Sequence, residues 1–338
     1  MSKLAVIGAG LVGERHTRLA AARGVLSCLI DPVDRGALAE ELGVAHHPAL
    51  TPGLQDGIEA AIVATPNHTH ADVAVPLLEA GIPCLIEKPI AATRADAERI
   101  VAAQKASGTP CLVGYHRRHN PITQRAKEVI ASGRLGRLTV VDAKFLLVKP
   151  AGYFDEAWRR ASGAGPVFIN LTHDIDLLRH LVGDIAAVHA AQSHAVRKYE
   201  VEDCAAILLR FAHGALGTVT VSDATPAPFS WEFTAGENPA YPHVAGAAYA
   251  IGGTKATLTL PDLTLWHHPG AQSWWAPISK ENLALEPADA LAVQFNHFLD
   301  GVAGRAAPAV TGEDGLASRA AVLAIKDAAE IAPLPVPG

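Results

Sequence analysis

A glycine-rich turn between a short apolar run and a helical pattern constrains this chain more than any other feature. Leu4, Ala5, Val6 and Ile7 form that run, as a strand buried on both faces should. Gly8, Gly10 and Gly13 follow at once in the spacing G-x-G-x-x-G. Gly8 permits the tight turn out of the strand, Gly10 lets the backbone approach a pyrophosphate, and Gly13 lets the new helix pack closely on the sheet. The helix start, with Leu11 and Val12, then offers free N–H groups and a positive dipole end to phosphates. A second apolar run, 26–30, ends in Asp31. A carboxylate there accepts hydrogen bonds from the ribose hydroxyls and repels a 2′-phosphate, which favours NAD over NADP even though Arg35 follows closely. The competing reading is an ordinary glycine-rich turn with an unrelated Asp.

The alternation continues. A helix over 35–42 ends at Gly43, and a short strand at 44–46 leads into a loop over 48–57. Buried strands follow at 60–64, 83–86 and 110–113, separated by helices at 71–80 and 93–107, the latter capped by Thr93 and ended by Gly108. Strand and helix in alternation predict a parallel sheet with helices on both faces. Ligands bind outside the carboxyl ends of such strands, and three polar strand ends converge there. They are Thr65-Pro66-Asn67-His68-Thr69-His70, Glu87-Lys88-Pro89, and Gly114-Tyr115-His116-Arg117-Arg118.

From Asn120 the pattern changes. A helix over 121–132 leads to a strand over 138–148 with no glycine-rich turn after it. A loop at 150–166 carries Tyr153, Phe154, Trp158, Arg159 and Arg160, and 168–182 reads as an amphipathic helix. Strand-like segments then run at 186–194, 204–211, 216–221, 230–235, 248–252, 256–260 and 263–267. Such a run predicts one large antiparallel sheet, and helices at 288–302 and 313–331 close the chain. The division is a dinucleotide-binding domain over 1–119 and a substrate and oligomerisation domain over 120–338, for which 338 residues suffice.

Composition excludes several partners. The net charge is −6 and no Lys/Arg run occurs, which argues against nucleic acid or an anionic membrane. No apolar run approaches a membrane span, and with a strand predicted at the very start no signal peptide is expected. Cys28, Cys84 and Cys111 fall in predicted buried strands, and with Cys204 show no metal spacing. That usage is expected of a cytoplasmic protein.

Lys88 is placed to point its ammonium into the crevice and polarise a substrate oxygen. The pre-proline position favours an extended backbone that aims it. On the 168–182 helix, Asn170, His173, Asp176 and His180 share one stripe and Leu171, Ile175, Leu178 and Val182 the other. His173 suits acid–base work near neutrality, with Asp176 one turn away to orient it. A solvated face is the competing reading, and a metal held by His173, Asp176 and His180 is a third.

These motifs in this order resemble the glucose–fructose oxidoreductase, inositol dehydrogenase and rhizopine-catabolism family of NAD(P)-dependent dehydrogenases. The resemblance rests on Gly8 to Gly13 with His16, Thr65 to His70, Glu87-Lys88-Pro89, Gly114 to Arg118 and His173-Asp174-Ile175-Asp176, and covers nearly the whole chain. It implies an α/β fold: an N-terminal Rossmann domain plus a C-terminal α+β domain with a large open-faced, mostly antiparallel sheet. It also implies hydride transfer at a secondary alcohol or carbonyl of a sugar, cyclitol, sugar acid or related cyclic diol. By position, Lys88 and His173 become catalytic, and Gly8, Gly10, Gly13, Asp31, Thr65, Asn67 and Glu87 contact cofactor. Leu11, Val12, Pro66, His70 and Lys88 extend the cofactor set. Tyr115, Arg117, Trp158, Arg159, Asn170 and His173 form the substrate set. Many members place an Asp four residues before the histidine. Here that position is Ile169 and its neighbour is Asn170, which can hydrogen-bond but cannot carry the charge. Asn170 is therefore a third catalytic candidate. No metal is expected. The expected partners are a small polyol, sugar or cyclic diol and a homodimer or homotetramer mate. A cofactor-binding sensor without turnover is the competing function.

Overall fold

The computed structural model describes residues 3–51 and 57–328. Its contacts divide the chain into two compact units, Met1–His119 with Asp289–Ala320, and Asn120–Ala288 with the remaining C-terminal residues. The sequence reading assigns 289–320 to the second domain. In the structure Phe295, Phe298 and Val310 of that stretch sit in the core of the first unit.

The first unit runs β1 (Leu4–Ile7), α1 (Leu11–Ala22), β2 (Leu26–Ile30), α2 (Gly36–Leu42), β3 (Ala45–His47), β4 (Ala60–Val63), α3 (His70–Glu79), β5 (Cys84–Ile86), α4 (Arg94–Ser107) and β6 (Cys111–Val113). The strands form one parallel sheet in the order β3-β2-β1-β4-β5-β6. The chain winds outward from β1 to β3, then returns to β4 on the other side of β1. That reversal is the switch point at which such sheets bind ligands. Strands β1, β4, β5 and β6 are buried along their whole length, because helices cover both faces. Cys28 in β2, Cys84 in β5 and Cys111 in β6 are buried free thiols. Thr93 caps α4 by accepting from Asp96 N–H, and Gly108 ends that helix in the left-handed region, both as expected. The short helical piece expected within 48–57 falls largely outside the described residues.

The second unit opens with α5 (Pro121–Ala131), capped by Asn120 accepting from Ile122 N–H. Then come β7 (Leu138–Leu146), α6 (Gly165–Ile169), α7 (Leu171–Val182), β8 (Ile185–Ser193), β9 (Cys204–Phe211), β10 (Leu216–Ser222), α8 (Trp231–Thr234), β11 (Ala247–Gly253), β12 (Ala256–Pro261), β13 (Thr264–His267) and β14 (Ser279–Asn282). Eight strands form one sheet, β14-β13-β12-β11-β7-β10-β9-β8, antiparallel except where β10 pairs with β7. Buried and exposed residues alternate along β9 and along β10 as far as Val221. Ile207, Leu209, Val219 and Val221 face the core with Leu171, Ile175 and Leu178 of α7. Leu208, Arg210, Leu216, Thr218 and Thr220 lie on the exposed face.

Three expectations are corrected here. The segment 230–235 is not a strand: Ser230 caps α8 by accepting from Phe233 N–H. The predicted helix over 168–182 is two helices, because Asn170 lies between α6 and α7 as the residue that ends one and begins the other. Strand β14 went unpredicted because Ser-Lys-Glu-Asn carries no apolar alternation. The closing helices are α9 (Ala290–Val302), capped by Asp289, and α10 (Gly312–Asp327). Among the described residues no helix is long and apolar enough to cross a membrane.

Candidate active site

Close approach shapes the turn after β1. A Cβ on Gly13 would stand 1.8 Å from the Gly8 carbonyl oxygen, and one on Gly8, whose φ is +87°, would stand 2.7 Å from the Ala64 and Thr65 backbone. At Gly10 a Cβ would meet nothing within 4 Å, so open space lies over the start of α1. No side chain caps that helix, and Leu11 beside it is 88% exposed. Free N–H groups, a dipole end and an uncovered apolar residue fit a dinucleotide pyrophosphate.

Asp31 is built into the end of β2. Its carboxylate accepts from Ala9 N–H at 2.8 Å, Val33 N–H at 2.9 Å and Arg35 Nε at 3.3 Å. Burial pushes its pKa up, but the Ala9, Val33 and Arg35 donors outweigh that and hold it below the ordinary Asp value. The anion that would meet an adenosine ribose is therefore present at neutral pH.

Strands β4 and β5 bring their polar ends together. Thr69 donates from Oγ1 to Thr65 Oγ1 at 2.9 Å, and Ala92 N–H donates to the Asn67 carbonyl at 3.1 Å. Glu87 extends the β5 pairing by donating its N–H to Val63 O at 2.8 Å. Its carboxylate reaches His16 Nε2 at 2.8 Å and accepts the Lys88 N–H at 3.2 Å. Burial alone pushes the Glu87 carboxyl up. The hydrogen bond from His16, and the charges of His16, His116 and Lys88, outweigh it and hold the group below its usual range. Lys88 follows directly, half-buried.

The remaining candidates of this unit are placed differently. His70, read as a cofactor contact, is buried with its ring against main-chain oxygens of Thr65, Pro89 and Ile90. Tyr115 and Arg117, read as substrate contacts, are 0% and 4% exposed. The chain after β6 turns inward through the 3₁₀ turn His116–His119, where the His119 ring lies tilted against that of His297, 5.2 Å between centroids.

In the second unit the first turns of α7 are not a solvated stripe. His173, Asp174 and Asp176 are all buried, as is the apolar side of the helix. Asp174, which enters the sequence analysis only as part of the motif at 173–176, accepts a hydrogen bond from Tyr249 O–H of β11. Asn170 has its Oδ1 buried without a hydrogen-bond partner among the described residues. Three residues of the loop after β7 come together. The Arg159 guanidinium lies 4.3 Å from the Tyr153 ring centroid and 5.4 Å from that of Trp158, and donates to Tyr153 O. Trp158 itself is 57% exposed. Among the described residues no group of three or more His, Cys, Asp or Glu side chains is placed to hold a metal ion.

Comparison with known proteins agrees with this architecture. A family profile described as an oxidoreductase family with an NAD-binding Rossmann fold matches residues 2–115. A second, for the C-terminal domain of the same family of glucose–fructose oxidoreductase, inositol dehydrogenase and MocA proteins, matches residues 123–259. The 1,5-anhydro-D-fructose reductase of Ensifer adhaerens is 27% identical over 97% of this chain and 96% of its own. Inositol 2-dehydrogenase 2 of Saccharopolyspora erythraea is 30% identical over 64% of this chain and 66% of its own. The WlbA dehydrogenase of Bordetella pertussis, solved with NADH and UDP-GlcNAcA, superposes with a TM-score of 0.77 over 99% of both chains at 26% identity.

Proposed function

The chain belongs to the glucose–fructose oxidoreductase, inositol dehydrogenase and MocA family of NAD-binding oxidoreductases, and we propose that it oxidises or reduces a ring carbon of a sugar, cyclitol or sugar acid. The observation that carries this is Lys88, set at the end of β5 beside an ionised, buried Glu87 and within the strand-end cluster of the Rossmann unit. NAD, when bound, supplies the hydride acceptor or donor. The chain supplies orientation and proton handling. The Lys88 ammonium donates to the substrate oxygen and stabilises charge that develops on it. His173 takes the hydroxyl proton in the oxidative direction and returns it in the other. Asn170, at the head of α7, hydrogen-bonds the same hydroxyl in place of a carboxylate. The exposed Trp158 indole offers an apolar face to a ring, and the Arg159 guanidinium a fork for a carboxylate. A panel of sugars, cyclitols, sugar acids and cyclic dihydrodiols, followed by absorbance of reduced nicotinamide, tests the proposal. Failure of every member with both NAD and NADP would favour a sensor without turnover.

NAD is expected to bind more tightly than NADP, because the Asp31 anion repels a 2′-phosphate. Asp31→Ala should narrow the gap, and it leaves Arg35 without its carboxylate to favour the phosphate further. Fluorescence titration with both reduced cofactors checks this; tighter NADPH binding by the unmodified protein would sink it.

The chain is also expected to assemble through the exposed sheet face. Val140, Leu208 and Leu216 are each about half exposed there, at 53%, 48% and 49%. They lie among Asp142, Lys144, Thr218 and Arg210, a mixture of both charge signs that a second copy can complement. Leu208→Glu combined with Leu216→Glu should convert the oligomer to monomer. Light scattering showing monomeric unmodified protein at micromolar concentration would contradict it.

A further inference from the structure

Lys88 stands where the sheet stops holding the chain. The ladder's last hydrogen bond on this strand is Glu87 N–H to Val63 O, and Pro89 has no N–H to contribute. Two imidazoles from separate helices hold the chain on either side of Lys88. His16, on α1 and 0% exposed, reaches the Glu87 carboxylate at 2.8 Å, while the other oxygen of that carboxylate takes the Lys88 N–H. His70, the first residue of α3 and 1% exposed, has Nδ1 3.1 Å from Pro89 O and 3.3 Å from Ile90 O. Its Nε2 lies 2.9 Å from Thr65 O. Even Gly114 serves the arrangement, since a Cβ there would stand 3.0 Å from the Glu87 carboxyl group.

We propose that His16 and His70 are positioning residues for Lys88, holding the residues before and after it so that its side chain leaves the main chain in one direction. This rests on the reading of Lys88 as the group that addresses the substrate oxygen. Neither histidine touches the reacting atoms. Each lies between Lys88 and the cofactor-binding turns: His16 follows Gly13 by one helical turn, and the His70 ring stands between the Pro89 and Thr65 carbonyls. The His70 ring is held neutral by its burial, against the pull of the Thr65, Ile90 and Pro89 carbonyls. A neutral imidazole has one N–H, so it donates to the Thr65 side or to the Pro89 side but not to both. The two amide replacements separate those sides. Asn places its amide nitrogen near the Nδ1 position, toward Pro89 and Ile90. Gln places its own near Nε2, toward Thr65.

The test uses the full-length protein carrying Lys88→Ala, His16→Leu, His16→Gln, His70→Asn or His70→Gln. Four readouts are taken: acetylation of Lys88 by limiting acetic anhydride, quantified by mass spectrometry; NADH affinity; the thermal midpoint; and kcat and KM on whichever substrate the panel identifies. Acetylation needs no substrate. His16→Leu should raise the Lys88 acetylation rate several-fold relative to exposed Lys105 and lower kcat by about 10²-fold, the scale of a roughly 1 Å misplacement. NADH affinity should change by less than about threefold, since positioning acts on the reacting group rather than on uniform binding. His16→Gln, which retains a donor toward Glu87, should recover most of both. His70→Gln should free Lys88 and His70→Asn should not. The proposal is overturned if Lys88 acetylation is the same in all five proteins that retain the lysine's surroundings unmodified or substituted at His16 and His70. It is equally overturned if His70→Asn and His70→Gln behave alike, or if His16→Gln falls with His16→Leu. Full turnover in Lys88→Ala would instead remove the assigned role of the lysine, while the acetylation arm would still decide whether the histidines grip it.

Discussion

Lys88→Ala and His173→Ala are each expected to lower turnover by about 10²- to 10⁴-fold, the range for loss of a general acid–base group, while NADH affinity stays within a few-fold. The split is the informative part. A group that acts on the transition state alone lowers kcat and kcat/KM together and leaves cofactor binding in place. Lys88→Arg should not restore activity, because the planar guanidinium fork cannot place its donors where the compact ammonium donates to the substrate oxygen. Asn170 supplies an internal control. Its Oδ1 has no hydrogen-bond partner among the described residues, and the role proposed above gives it one in the substrate hydroxyl. Asn170→Ala should therefore cost activity, and Asn170→Asp should mainly alter the pH profile by adding an ionisable group beside the histidine's turn of helix. Steady-state rates and NADH titrations on the same preparations decide it. Unaltered turnover in His173→Ala would end the role of α7.

Local rules carried the Rossmann unit far because every level agreed. Apolar runs, glycine turns and helical patterns alternate in the same order, and Asp31 falls at the one strand end where a ribose needs it. Where levels conflict, the local signal misleads. Trp231, Phe233 and Thr234 favour a strand by type, yet Ser230 caps them into a helix, and the Thr234 hydroxyl donates back to Ser230 O. Asn170 keeps helix-like dihedrals, so the apolar period runs through the break between α6 and α7 without a phase change. Amphipathic periodicity also says nothing about which core a helix enters, and Phe295 and Phe298 of α9 enter the first unit's. The two histidines around Lys88 were legible only as letters in motifs. His16 meets Glu87 across 71 residues, and His70 meets Pro89 across 19, separations that carry no periodic trace.

The glycine turn yields the sharpest separation of fold from function. Gly13→Ala would set a methyl group 1.8 Å from the Gly8 carbonyl oxygen, 2.9 Å from the Gly8 carbon and 3.4 Å from the Ala64 Cβ. The first two are backbone atoms and cannot swing aside, so α1 must move off the sheet or the turn must open. Overpacking of that kind costs about 1–3 kcal/mol, occasionally more. Moving α1 also moves the N–H groups that would face the pyrophosphate, so NADH affinity should fall with stability. Gly10→Ala differs on both counts. Gly10 has φ −71° and ψ −164°, which alanine adopts freely, and nothing lies within 4 Å of the added methyl group. Its stability should change by no more than about 1 kcal/mol, the scale of an N-cap substitution. The methyl group would nonetheless occupy the space through which backbone approaches the phosphates, so NADH affinity should drop at least about tenfold with the fold intact. Thermal midpoints and NADH titrations of the two variants side by side give the result. If Gly10→Ala binds NADH as the unmodified protein does, the pyrophosphate does not lie over the start of α1, and the cofactor geometry assigned to this turn is wrong.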